Sequence, residues 1–84
     1  MTVYNITWEN AARAAYQRFL KDDREGAKSL TAAVNRLARE PAPPESRPIG
    51  NAGHRRLSVG HYRCQYHVDG GSIVITVMTV GRIQ

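Results

Sequence analysis

Residues 54 to 80 read HRRLSVGHYRCQYHVDGGSIVITVMTV. Two turn signals, Gly60-His61 and Gly70-Gly71, divide this stretch into three runs of strand-forming residues, which predicts two consecutive β-hairpins. Taking Gly60-His61 as a two-residue turn sets Val59 opposite Tyr62, Leu57 opposite Cys64 and Arg55 opposite Tyr66. Opposed residues share a face and side chains alternate, so the other face pairs Ser58 with Arg63, Arg56 with Gln65 and His54 with His67. One face is mostly apolar. The other carries arginine, histidine, glutamine and serine with no acid opposing the arginines, and histidine as a residue type titrates near neutrality. That chemistry suits a phosphate; the plainer alternative is the wet face of a half-buried antiparallel sheet.

The chain of 84 residues is long enough for a single domain, 1–84, with a modest core. No apolar run approaches the roughly 18 residues of a membrane span, and the alternating TVYNITW start does not resemble a signal peptide, so a cytoplasmic protein without a membrane partner is expected. Cys64 is the only cysteine, which excludes an internal disulfide and a cysteine-based zinc site. Its strand position points it into the core. The net charge of +5 is unevenly spread. Residues 1–45 hold seven Lys/Arg against six acids, whereas residues 46–84 hold five Arg against Asp69 alone. A basic sheet half favours a polyanionic partner over a small neutral ligand.

Upstream, residues 2–8 alternate, with Tyr4, Ile6 and Trp8 on one side, as in a first strand with one buried face. From Glu9 the period lengthens: Ala12, Ala15, Tyr16 and Phe19 predict a helix ending near Lys21. Asp22-Asp23 then supplies caps for a second helix, whose stripe of Ala27, Leu30, Val34 and Leu37 runs to Glu40. Gly26 weakens its first turn by up to about 1 kcal/mol relative to alanine. Pro41, Pro43, Pro44 and Pro48 stop the helix and make a rigid extended crossover. With Gly70-Gly71 as a two-residue turn, Val68 meets Ile73, Tyr66 meets Ile75 and Cys64 meets Val77, leaving Val74, Thr76, Met78 and Val80 to floor the basic face. The expected fold is α+β: two antiparallel helices packed on one face of a mostly antiparallel four-stranded sheet, in the order β-α-α-β-β-β.

This order, the LAREP stop at residues 37–41, and above all LSVGHYRCQYHVDGG at residues 57–71 followed by Val80-Gly81-Arg82 resemble the RelE/ParE superfamily of bacterial toxins from type II toxin-antitoxin modules, in particular its RelE-like branch. The resemblance covers nearly the entire chain. It implies a metal-independent, cofactor-free endoribonuclease that cleaves mRNA in the ribosomal A site and is held inactive by a cognate antitoxin. In such enzymes the ribose 2′-hydroxyl attacks the adjacent phosphorus, leaving a cyclic phosphate and a 5′-hydroxyl. Carried over position by position, Arg63 matches the family's phosphate-binding arginine, Arg56 and His54 match two basic positions that are lysines in RelE-like members, and Arg82 matches the basic residue after Val-Gly. Ile83 stands where active members commonly carry a second basic residue, and the family's tail tyrosine has no counterpart. Either His54 and His67 carry the proton transfer, or the protein cleaves slowly or not at all.

Such a cleavage needs a base, cationic donors for the phosphorane oxygens and an acid for the leaving oxygen. The expected catalytic set is therefore Arg63 and Arg56 as clamp, with His54 or His67 moving protons. Arg82 is expected to hold a flanking phosphate, and Arg55, Ser58 and Gln65 to complete the substrate-binding surface. His61 at the turn tip is left out, and Tyr62, Tyr66 and Trp8 are read as core. A ParE-like inhibitor of DNA gyrase, or a basic nucleic-acid-binding module without cleavage, are the competing readings.

Overall fold

Seven elements follow in chain order: β1 (Asn5–Trp8), α1 (Asn10–Asp22), α2 (Arg24–Arg36), β2 (Ser46–Pro48), β3 (His54–Val59), β4 (Tyr62–Asp69) and β5 (Val74–Arg82). They come from a computed structural model that describes residues 2–50 and 52–83. The sheet order is β1-β5-β4-β3-β2, with β1 parallel to β5 and every other pair antiparallel. This is the expected α+β architecture with one strand more than expected. The added strand, β2, lies inside the proline run. It pairs with β3 at an edge, the one place in a sheet where the missing N–H of Pro48 does no harm.

The apolar stripes on α1 and α2 meet the predicted inner face of the hairpins. Ala12, Leu30, Val34, Leu37, Leu57, Cys64, Tyr66, Ile75 and Val77 form one nearly solvent-free cluster. Burying each leucine or isoleucine side chain there is worth about 1.5–3 kcal/mol. Tyr66 keeps its hydroxyl satisfied by donating to the carbonyl of Pro41 at 2.6 Å, which ties the crossover to the sheet. Helix α2 ends at Arg36 rather than Glu40, and the tighter turn that follows uses i to i+3 bonds, Leu37 N–H to Val34 O and Arg39 N–H to Arg36 O. The first strand begins only at Asn5, and Val3 is exposed.

Asp23 caps α2, its Oδ1 accepting from Gly26 N–H at 3.1 Å while Oδ2 accepts from Tyr62 Oη at 3.0 Å. Those bonds hold its carboxyl below the usual carboxylate range, the Gly26 N–H contributing most and the Tyr62 hydroxyl next. Gly26 therefore has a packing reason: a Cβ there would lie 2.2 Å from Asp23 Oδ2 and 2.9 Å from the Tyr62 ring.

The first hairpin has the predicted register throughout, from Val59 opposite Tyr62 to His54 opposite His67. The second does not. Asp69 pairs with Val74, so the connection is the four residues 70–73 rather than two, and Val68 faces Ile75. Asp69 organises this loop: its Oδ1 accepts from Gly71 N–H at 3.0 Å and Ser72 N–H at 3.1 Å, with Ile73 at φ 58°. A shift of two preserves the faces, but a bulge opposite Gln65/Tyr66 then inserts Met78. Beyond it Thr79 faces Gln65, Val80 faces Cys64, Gly81 faces Arg63 and Arg82 faces Tyr62. Val80, expected on the basic face, is thus in the core.

Candidate functional site

The sheet face away from the helices is built from three cross-strand rows. At the turn end, Gly81, Arg63 and Ser58 stand side by side. Next come Thr79, Gln65, Arg56 and Arg47, carried by β5, β4, β3 and β2. The third row is Thr7, Thr76, His67 and His54, with the two threonine hydroxyls 3.3 Å apart. Rows lie two residues apart along a strand, or about 6.7 Å.

Arg56 and Arg47 are exposed, while Arg63, His54 and His67 are half-buried. Ion pairs among the described residues are Arg36 with Glu40 and Arg82 with Asp22, so the three arginines of this face have no carboxylate partner there. The acid at its margin, Asp69, is occupied by its own loop, whose Ser72 backbone and side chain lower its carboxyl from the ordinary value, followed by Gly71 N–H. The guanidinium groups of Arg47 and Arg56 stay open to solvent, a surface that can take up a polyanion. Arg63 turns toward the hairpin end, its Nη1 donating to Gly60 O at 2.9 Å and Tyr62 O at 2.8 Å. The remaining N–H groups of the fork are left for a ligand.

His54 and His67 face each other with ring centroids 4.7 Å apart and planes tilted by 50°. His67 fits because Gly53 has no side chain: a Cβ there would come within 2.8 Å of His67 Nε2. The imidazoles sit one row from Arg56 and two rows, about 13 Å along β4, from Arg63. Among the described residues no three His, Cys, Asp or Glu side chains gather as a metal site.

Of the residues expected in the site, Arg56, Arg63, His54, His67, Ser58 and Gln65 share this face. Arg55 and Arg82 do not. Arg55, which opposes Tyr66, lies on the helix-bearing side, where its Nε donates to Ser46 Oγ at 2.9 Å and its Nη2 to Ser46 O at 3.3 Å, fixing the edge strand. Arg82 was carried to the same side by the bulge. It pairs with Asp22 at 2.7 Å and lies over the Phe19 ring at 5.1 Å. Sequence reasoning missed Arg47. The signal was present as Ser46-Arg47-Pro48, a short alternation that a proline run disguised as connector.

Comparison with known proteins agrees with this architecture. The family model described as ParE toxin of type II toxin-antitoxin system, parDE, matches residues 6–83. Among solved structures, the RelE of the archaeal RelE-RelB complex from Pyrococcus horikoshii superposes with a TM-score of 0.83 at 22% identity, covering 98% of this chain and 96% of that one. The isolated Escherichia coli RelE toxin gives 0.83 at 16% identity over 96% of this chain and 85% of that one. A YoeB/ParE toxin from Agrobacterium tumefaciens gives 0.79 at 18% identity, over 95% and 98%. No curated protein matches by sequence. With the family model spanning nearly all of the chain and the same fold in each of these structures, the protein is a toxin of the RelE/ParE superfamily of type II toxin-antitoxin systems.

Proposed function

We propose that the protein is a ribosome-dependent mRNA endonuclease and that the helix-free sheet face binds and cuts the message. The observation that carries this reading is the row structure of that face, with Arg47, Arg56 and Arg63 free of acids and the two imidazoles one step from Arg56. The reacting phosphate lies over Arg56, and the neighbouring row supplies those N–H groups of Arg63 that Gly60 O and Tyr62 O leave free. Guanidinium donors stabilise charge on the phosphorane oxygens. One of His54 and His67 takes the 2′-hydroxyl proton, and an imidazole of the pair or a water returns a proton to the leaving 5′-oxygen. No metal enters this scheme. Arg47 extends the cationic track to the sheet edge and holds a phosphate outside the cut.

Toxin-antitoxin complexes among the similar structures support a cognate antitoxin as the partner, one with acidic residues to cover this basic face. The test is in-vitro cleavage of A-site mRNA on programmed ribosomes. Arg56→Ala and Arg63→Ala each lose on the order of 100-fold in cleavage rate if the arginines act as preorganised donors. Cleavage at the wild-type rate in both would remove the clamp.

A second reading, inhibition of DNA gyrase by protein contact, is favoured by the matched family model, which is that of ParE. Gyrase supercoiling measured with the purified toxin separates the two: inhibition of gyrase with intact mRNA on the ribosome supports the second.

A further inference from the structure

Gly81 is a glycine for which the fold supplies no reason. It is exposed near the end of β5, its φ lies outside the left-handed region, and no atom lies within 4 Å of where its Cβ would be. In a strand, glycine loses more conformational freedom than alanine on folding and packs nothing, so any side chain here would favour the folded state. Gly26 is the contrast: there a Cβ would strike Asp23 and Tyr62.

The surroundings of Gly81 supply the missing reason. It stands directly opposite Arg63, and the residue on the other side of Arg63 is Ser58. Side chains on directly opposed strand positions lie about 4.5–5.5 Å apart at Cβ and cover one another. Arg63 is therefore flanked by the two smallest side chains of the face. Arg56, one row away, is flanked by Arg47 and Gln65. The turn-end row is thus low on both sides of Arg63, with bare backbone at Gly81 and a short hydroxymethyl at Ser58, while the Arg63 guanidinium is held toward Gly60 and Tyr62. Glycine in such a place lets a ligand approach the main chain closely.

We propose that Gly81 is a substrate-contacting position, where a ribose of the bound RNA lies against bare backbone while its phosphate is held by Arg63. This rests on the ribonuclease reading above and adds to it a steric requirement at a residue without functional groups. A side chain at position 81 would lift the ribose from the sheet and shield the near flank of the Arg63 guanidinium.

The experiment compares full-length wild-type chain with Gly81→Ala and Gly81→Val, by thermal unfolding and by single-turnover cleavage of mRNA on programmed ribosomes across toxin concentrations. The expected result is an equal or higher Tm in both variants. The single-turnover cleavage rate at saturating toxin falls about tenfold for alanine and about 100-fold for valine, the scale of rate loss when a reactant is displaced by about an ångström. Wild-type cleavage and saturation in Gly81→Val would overturn the proposal while leaving the ribonuclease reading intact. A marked fall in Tm in Gly81→Ala would also overturn it, because the glycine would then serve the fold. A wild-type chain that leaves the mRNA uncut overturns the ribonuclease reading, and the proposal with it.

Discussion

Cys64 lies on β4 among Leu57, Tyr66 and Val80, fully shielded from solvent, and burial pushes its thiol up to about 12. Only about one part in ten thousand would be thiolate at pH 8 with such a pKa. The native protein should therefore leave a disulfide reagent such as DTNB unreacted at pH 8, whereas one equivalent should react in concentrated guanidinium. Rapid labelling of the folded chain would contradict the burial. This inward placement was legible from alternation alone, as were the sides taken by Arg56, Arg63, His54 and His67. For Arg55 alternation already gave the inner side, away from the face that carries Arg56 and Arg63. Its guanidinium is used on Ser46 instead.

At the level of elements, legibility depended on whether the backbone or a side chain dictates the turn. Gly60-His61 closes its hairpin through main-chain geometry, and the register of β3 with β4 followed from counting. Gly70-Gly71 offers the same signal, yet the Asp69 carboxylate captures two N–H groups downstream and lengthens the loop by two residues. Strand β2 was invisible because a run of prolines reads as connector, although an edge tolerates one of them. The start of α2 shows propensity yielding to packing in the same way. Alanine at position 26 should gain up to about 1 kcal/mol as a helix former. Here Gly26→Ala should instead lower Tm, since the new methyl displaces the Asp23 cap and the Tyr62 ring. Thermal denaturation decides the sign, and a higher Tm would show that the cap can yield.

Across the whole molecule the two sides of the sheet divide the arginines between two tasks. Arg47, Arg56 and Arg63 stand on the helix-free side, while Arg82 joins the end of β5 to the corner between α1 and α2 through Asp22, Phe19 and Tyr62. The Asp22 carboxylate raises the guanidinium pKa of Arg82 above its ordinary value, the Tyr62 hydroxyl adding to it. Arg82→Ala should thus reduce Tm by a few degrees, more at low salt than at high, yet leave ribosome-dependent cleavage unchanged. Parallel melts and cleavage assays check both halves, and a loss of cleavage with unchanged Tm would return Arg82 to the substrate. The uneven charge of the chain anticipated which half carries the three arginines of the helix-free face, but the side taken by Arg82 depended on one inserted residue.

That residue, Met78, makes the last strand sensitive to the reading of single codons. Gaining one more amino acid just beyond the bulge would keep composition, charge and length almost intact and would exchange inside for outside at every later position. Val80 and Arg82 would emerge beside the arginines, and Thr79 and Gly81 would turn under the helices. A three-nucleotide insertion there is consequently a far graver lesion than the loss of Met78 itself, which would leave Thr79 opposite Gln65 and Val80 opposite Cys64.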